Sequence, residues 1–191
     1  NNHNNNGTTG INNNSSYGQI DYTSHKTSVS KFLQNNFDRF LGCYEALMLC
    51  ENYVTRRSSL KLLGELLVQP VNQKTLIKYV NQCHQLKVIM LLLKDRSSNI
   101  QLEAFHIFKL FVMNPRQPYD IRRIMVKNRE KLSLYLMAFR GRMGDSIYSD
   151  CDKLLEFFGN LASDVEDVEE DDKVGQGNNI RSNSNEDEDE D

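Results

Sequence analysis

The central apolar segment of the chain reads SNIQLEAFHIFKLFVMNP and covers residues 98–115. Its apolar side chains recur at the three- and four-residue spacing of an α-helix, not at the alternation of a strand. One face holds Ile100, Ala104, Ile107, Phe108 and Phe111, and a second face holds Leu102, Phe105 and Val112. A helix that is apolar on two faces is expected between other helices, and the proline at its end stops it.

An upstream segment, residues 53–68, carries a related apolar stripe that Pro70 is expected to end. The stripe consists of Leu60, Leu62, Leu63, Leu66 and Leu67. Further helices are predicted at about 28–36, 38–49, 74–82, 85–95, 119–127, 129–141 and 147–161.

The helical pattern repeats along the chain. A shift of 45 residues superimposes the leucine stripe on residues 105–112, and shifts of 45 and 46 superimpose the following helices. The matched pairs are Leu76 with Ile121, Tyr79 with Ile124, Leu86 with Leu132, Val88 with Leu134 and Ile89 with Tyr135. A three-helix period of about 40–47 residues is typical of armadillo and HEAT repeats. The sequence therefore predicts an all-α, armadillo/HEAT-like helical-repeat solenoid.

The flanking segments differ from this repeat region, residues 25–161, in composition. Residues 1–24 contain eight Asn in the first fourteen positions and are predicted to be disordered. Residues 162–191 are predicted to form a disordered acidic tail, since 164–191 carry thirteen acids against Lys173 and Arg181, a net charge of −11. Residues 25–163 hold 21 Lys/Arg and 12 Asp/Glu, so the folded part is basic, with a net charge of +9.

Several classes of protein are disfavoured. No apolar run is long enough to span a membrane, and no secretory signal is visible, so the cytoplasm is the expected location. The chain starts at Asn1 without a methionine, and we expect it to be part of a longer protein. The cysteines match neither a zinc site nor a CxxC pair and are expected to be reduced and mostly buried. They are Cys43, Cys50, Cys83 and Cys151.

Motifs for catalysis are missing. The sequence has no Gly-rich phosphate loop, no GxSxG and no HExxH, so we expect no enzymatic activity and no cofactor. The acidic run at 164–172 lacks the glycine of a calcium-binding EF-hand loop, and no metal site is predicted. His106 and Glu103, three residues apart, are expected to form a core contact, whereas His84 is expected to be exposed.

Three helical faces carry clustered cations. They are Arg57 with Lys61 and Gly64, Lys87 with Met90, Leu91 and Lys94, and Arg123 with Lys127. One interpretation is that these are solvated helix faces. The other is a groove with cationic rims and a flexible apolar floor, suited to a short peptide with an aromatic anchor and carboxylates.

A basic helical repeat also suggests a nucleic-acid-binding protein as the alternative function. Repeats that read bases need recurrent polar or stacking residues at one fixed repeat position. At a shift of 45, Arg57 corresponds to Leu102 and Lys61 to His106, so no such code recurs.

Three long motifs carry a resemblance to a known family. They are ENYVTRRSSLKLLGELL (51–67), LLLKDRSSNIQLEAFHIFKLFVMNP (91–115) and KNREKL (127–132). Together with HKTSVSKFLQNNFDRF (25–40), they resemble the calcium-binding protein 39 family over about 25–161.

The resemblance implies a non-catalytic armadillo-like scaffold that binds and activates protein kinases. Implied partners are germinal-centre (sterile-20-like) kinases, and the complex of the pseudokinase STRAD with liver kinase B-one. The scaffold captures a C-terminal Trp-Glu-Phe tail of the partner. The matching peptide-binding positions are Arg57, Met90 and Lys127, with Lys61 as a neighbour.

The sequence also departs from that family. The N-terminal half of the family solenoid is absent, and the Asn-rich segment stands in place of a preceding helix. The kinase-facing loop, which is often basic and aromatic in the family, reads QPVNQ (69–73) here. The acidic tail has no counterpart in the family.

Overall fold

The computed structural model describes residues 22–161, and these residues fold into eight α-helices without a strand. The Asn-rich segment before Tyr22 and the acidic tail at 162–191, both predicted to be disordered, lie outside the described residues. The helices are α1 (Tyr22–Asn35), α2 (Phe37–Met48), α3 (Tyr53–Val68), α4 (Gln73–Val80), α5 (Cys83–Leu92), α6 (Ser98–Val112), α7 (Tyr119–Met143) and α8 (Tyr148–Asn160). The all-α prediction is confirmed.

The two ends of α3 lie at residues that favour the start and the end of a helix. Asn52 begins α3 because its Oδ1 accepts a hydrogen bond from the Thr55 backbone N–H at 3.0 Å. Pro70 ends α3 and opens a single turn of 3₁₀-helix, Pro70–Asn72. Helix α1 begins at Tyr22, earlier than the predicted residue 28, so 22–24 of the predicted Asn-rich segment belong to it. The first turns of α1 are polar, so no apolar periodicity in the sequence predicts them.

Helix α7 corrects the prediction of two helices at 119–127 and 129–141. The chain forms one helix of 25 residues there, although its repeat equivalents α4 and α5 are separated by Asn81 and Gln82. No proline or glycine lies between residues 119 and 140, but residues 73–92 lack them as well, so these two residue types do not decide which segment breaks. Asn128 fits within the helix, because its Nδ2 donates to the Ile124 carbonyl at 2.8 Å.

The packing of the helices repeats as the sequence does. Helices α3, α6 and α8 occupy equivalent positions, and α6 packs on both of the others. These three are the first helices of successive repeats. Each of them also packs on the helix that precedes it in the chain: α3 on α2, α6 on α5, and α8 on α7. Helices α1 and α4 are the second helices of successive repeats, and they contact each other. The repeated pairs define a helical-repeat fold with α6 at its centre.

The predicted faces of α6 are buried as expected, except that Leu102 of the second face is only half-buried. The five residues of the first face are fully buried, as is Phe105, and Val112 is almost so. The leucine stripe of α3 is only partly correct, because Leu62 is 55% exposed. Its repeat equivalent Ile107 is covered by α3, where a Cβ at Gly64 would lie 3.7 Å from Ile107 Cγ1. Among the described residues, no first helix of an earlier repeat covers Leu62 in the same way.

The cysteines differ from the prediction of mostly buried residues. Only Cys151 is buried, Cys50 and Cys83 are half-buried, Cys43 is exposed, and all four are free thiols. Burial raises the pKa of Cys151 to about 11, and partial burial raises that of Cys83. In the described part of the chain, no helix is long and apolar enough to cross a bilayer.

Candidate functional site

Met90 lies in a small cleft between α5 and α7. The cleft has a volume of about 60 Å³. Its lining residues come from the end of α5 and the middle of α7: Met90, Leu93, Lys94, Asn128, Lys131, Leu132 and Tyr135. We call this group the Met90 cleft. Leu93 and Leu132 are buried at its base, and Met90 is half-buried against the core.

The size of the Met90 cleft limits what it accepts as it stands. About 60 Å³ holds a few water molecules and not an aromatic ring. An unbranched thioether side chain can rearrange at low cost, so a shift of Met90 is the natural way to open the cleft for a ring. Neighbouring Leu91 on α5 is 62% exposed and adds apolar surface beside the cleft.

The rim of the Met90 cleft is cationic. Lys94 and Lys131 are exposed, and within residues 22–161 neither forms an ion pair with a carboxylate. Lys87, one turn before Met90 on α5, is exposed as well. An apolar floor between uncompensated ammonium groups is suited to a ligand that carries both a ring and a carboxylate.

Tyr135 supplies a polar group in the wall of the cleft. Its ring stacks on Phe139 with centroids 5.3 Å apart, and its hydroxyl is buried without a hydrogen-bond partner among the described residues. Burial raises the pKa of Tyr135, so the hydroxyl keeps its proton and remains a donor. A buried, unpaired hydroxyl is costly, and a ligand oxygen that reached it would remove that cost.

Arg57 and Lys61 lie on α3 and form a separate group. The Arg57 side chain is 46% exposed, and its Nε lies 3.8 Å from Glu103 Oε1 on α6. That distance exceeds a hydrogen bond, so the guanidinium retains donors for another carboxylate. Lys61 lies 3.9 Å from Glu65, with both side chains well exposed. Such a pair contributes little to stability.

Arg57 also belongs to a polar cluster at the start of α6. Asn99 Nδ2 donates to the Tyr53 hydroxyl at 3.1 Å. That hydrogen bond is the main reason that the pKa of Tyr53 is lowered, and the nearby positive charge of Arg57 acts in the same direction. The neighbouring Arg56 pairs with Asp95 at 3.5 Å. These contacts hold the N-terminal ends of α3 and α6 together.

The four predicted site residues therefore fall into two groups. Met90 lines the cleft, and the exposed Lys127 directly precedes Asn128 of its wall. Arg57 and Lys61 lie on α3, which packs on α6, and α6 in turn packs on α5. A ligand that used all four would have to extend from the Met90 cleft towards α3.

Sequence reasoning missed part of both groups. Lys131 could have been found, because it lies four residues after Lys127 and hence on the same helix face. Tyr135 matches Ile89 in the sequence repeat, and its place at the edge of a cleft carries no sequence signal. Glu103 is predicted to contact His106, whereas its Oε1 lies 3.8 Å from Arg57 Nε.

The histidines differ in outcome. His106 is exposed, so the predicted core contact with Glu103 is wrong; the period of α6 turns His106 towards solvent beside Lys109. Partial burial of the ring is the main cause that lowers its pKa, with a smaller contribution from Lys109. His84 is exposed as predicted, and its Nε2 lies 2.8 Å from Glu45 Oε2 on α2.

Other surface features lie away from these residues. A groove of about 640 Å³ runs between α4 and the end of α6, with Ile77 and Met113 on its walls and Arg116 at its edge. It contains none of the four predicted site residues. Among residues 22–161, no group of three or more His, Cys, Asp or Glu is arranged to hold a metal ion.

The helix packing and the surface define an all-α helical-repeat protein with a cationic, partly apolar cleft. Comparison with known sequences identifies the family of this helical-repeat protein, because the sequence model of the Mo25-like family matches residues 20–161. The chain belongs to the Mo25-like family.

Individual relatives agree with this assignment. The chain is 50% identical over 129 residues to MO25-like protein 2 of Caenorhabditis elegans, covering 67% of this chain and 38% of that protein. It is 45% identical over 127 residues to the Mo25-like protein of Schizosaccharomyces pombe, covering 66% and 39%. It is 45% identical over 129 residues to human calcium-binding protein 39-like, covering 67% and 38%. The chain spans about two fifths of the length of these relatives.

Proposed function

We propose that this chain is a non-catalytic, cytoplasmic scaffold that binds protein kinases and helps to activate them. Its partners are kinases of the germinal-centre (sterile-20-like) class or a pseudokinase–kinase complex. It captures a C-terminal aromatic-acidic tail of the Trp-Glu-Phe type. The observation that carries this proposal is the Met90 cleft, where an adaptable apolar floor lies between two ammonium groups that form no ion pair with any residue of 22–161.

Each part of the tail has a counterpart among the described residues. A ring enters the cleft when Met90 moves aside, and the buried side chains of Leu93 and Leu132 at its base exclude water from it. Lys94, Lys131 and Lys127 offer ammonium groups to one carboxylate. Arg57, with Lys61 beside it, offers a guanidinium to the other.

The test is isothermal titration of the full chain with a peptide that ends in Trp-Glu-Phe. Met90→Ala should weaken binding more than tenfold, because truncating a hot spot costs about 2 kcal/mol or more. Met113→Ala is the matched control, since it removes the same kind of side chain from an exposed position at the end of α6, outside the Met90 cleft. Circular dichroism should show unchanged helicity for both.

Equal affinity for wild type and Met90→Ala would contradict the assignment of the cleft. Unfolding of Met90→Ala would instead identify Met90 as a core residue. Arg57→Ala should weaken binding only about threefold, because its guanidinium on α3 is exposed to water and its charge is therefore screened.

The basic helical body also favours the second candidate, a nucleic-acid-binding repeat. Residues 25–163 carry the net charge of +9 that such a protein needs. A parallel titration with single-stranded RNA distinguishes the two functions. Tighter binding of RNA than of the peptide at the same salt concentration would favour this candidate.

A further inference from the structure

Positive charge is concentrated in the first half of α7. Residues 119–131 contain five cations and two acids, and each cation is at least partly exposed. The cations are Arg122, Arg123, Lys127, Arg129 and Lys131. Lys131 lines the Met90 cleft, so this basic half-helix continues from that cleft along α7.

The path of the chain brings an acidic segment towards this half-helix. Helix α7 is about 37 Å long and α8 about 20 Å, and only residues 144–147 connect them. A short connection makes α8 return along α7 as an antiparallel neighbour. Tyr148 lies against Arg140, with its ring centroid 4.4 Å from the guanidinium carbon, and Asp152 pairs with Arg140. Helix α8 therefore covers the C-terminal half of α7 and ends beside the basic half.

The segment after α8 has the complementary charge. Leu161 is buried at the end of α8, and residues 164–172 read DVEDVEEDD, with seven acids in nine positions. Three residues of extended chain span about 10 Å, so the first of these acids is within reach of α7. The two valines add a small apolar component to the acidic run.

We propose that residues 164–172 dock on the basic first half of α7 and compete there with an acidic peptide. Tethering keeps the effective concentration of the segment on the order of millimolar, so weak charge pairing is enough to occupy the site part of the time. The docking rests on charge and chain path, whereas its effect on a partner tail rests on the proposed function. Phosphorylation of Ser163 would add negative charge to the segment and strengthen the docking.

Nuclear magnetic resonance of the full chain tests the docking without any peptide. The proximal variant carries Asp164→Asn, Glu166→Gln, Asp167→Asn, Glu169→Gln, Glu170→Gln, Asp171→Asn and Asp172→Asn. The matched distal control carries Glu186→Gln, Asp187→Asn, Glu188→Gln, Asp189→Asn, Glu190→Gln and Asp191→Asn. The proximal variant should change amide shifts clustered at residues 119–131, and high salt should abolish the difference from wild type.

Three results would overturn the docking. They are unchanged shifts on α7, equal changes for the proximal variant and the distal control, and changes that grow with protein concentration because a second copy supplies the segment. The spectra also report whether each variant is folded.

Titration with the Trp-Glu-Phe peptide then tests the competition. At low salt the proximal variant should bind about twofold more tightly than wild type, since a site occupied half of the time has half its intrinsic affinity. If the amide shifts support the docking but wild type and the proximal variant bind the peptide with equal affinity, the segment does not compete with the peptide. If neither wild type nor the two variants bind the peptide, the proposed function is contradicted. The docking is then judged from the amide shifts alone.

Discussion

Two core tyrosines differ in how their hydroxyl groups are satisfied. The Tyr44 hydroxyl on α2 donates to the Ser59 carbonyl of α3 at 2.9 Å. Tyr79 on α4 is fully buried, with its ring 5.5 Å from that of Phe111, and its hydroxyl has no partner among the described residues. The two side chains are therefore a matched pair for measuring the value of one buried hydrogen bond.

Removing these hydroxyls should have opposite consequences. Tyr44→Phe should lower the free energy of unfolding by about 1 kcal/mol, because it removes a buried hydrogen bond, although the Ser59 carbonyl keeps its helical partner within α3. Tyr79→Phe should be neutral or stabilise the fold by up to about 1 kcal/mol, because it removes an unsatisfied donor. Urea denaturation of each variant measures both. A larger loss for Tyr79→Phe than for Tyr44→Phe would mean that the Tyr79 hydroxyl is satisfied.

Cys151 predicts a dependence of stability on alkaline pH. Burial raises its pKa from 9.0 to about 11, so the folded state favours the neutral thiol. That contribution is fully present below pH 9 and is lost as the pH rises through 11. We expect a loss on the order of 2 kcal/mol across this window in wild type, and a smaller loss in Cys151→Ala. Denaturation midpoints at several pH values measure it, and parallel curves for the two proteins would contradict the assignment.

Single residues show how far the sequence predicted the candidate site. Met90 was placed on a surface stripe with Lys87 and Lys94, and the structure has all three at least partly exposed. The stripe follows from helical period alone. The opposite wall of the cleft does not, because Asn128 and Tyr135 reach it through the packing of α7 on α5. The binding role of these residues stays a prediction.

Helix α6 connects the repeats, since it packs on α3, α5 and α8. Its Phe108 ring stacks on Phe158 of α8 with centroids 6.5 Å apart. A second contact supports the same pair of helices, because Lys109 Nζ donates to Asp150 Oδ2 at 2.5 Å. The stability of the whole body therefore depends on the apolar faces of this one helix.

Truncation within α6 should be severe. Phe108→Ala should cost about 3–5 kcal/mol, because it removes a buried ring and leaves a cavity between α6 and α8. Met113→Ala at the end of the same helix is the control, since Met113 is 54% exposed and its loss should change stability by about 0.5 kcal/mol or less. Thermal and urea unfolding measure both. A loss below about 1 kcal/mol for Phe108→Ala would contradict the central position of α6.

The elements also show where sequence reasoning was limited. The ends of α3 and α6 followed from Pro70 and Pro115, whose effect on a helix is local. The fusion of two predicted helices into α7 did not follow, because an asparagine such as Asn128 occurs both inside helices and between them, as Asn81 does between α4 and α5. The exposure of Leu62 depends on which helices surround α3, and this is a property of neighbouring repeats.

At the scale of the molecule, charge is distributed unevenly along the chain. The basic body and the acidic segment after residue 163 nearly cancel, and the formal net charge of the whole chain is −3. The separation of positive and negative charge along the sequence, and not the net charge, points to anionic partners for the basic body. Under the proposed function the anionic partner is an acidic protein tail, and its binding should weaken as salt screens these charges.

The most direct measurement is calorimetric titration of the full chain with two forms of one peptide ending in Trp-Glu-Phe. One form has a free terminal carboxylate, and the other has a C-terminal amide. The free acid should bind with one-to-one stoichiometry and at least about threefold more tightly than the amide, since the amide loses a charge that the lysines and Arg57 pair with. Absence of binding, or equal affinity for the two forms, would contradict capture of an acidic aromatic tail by this chain.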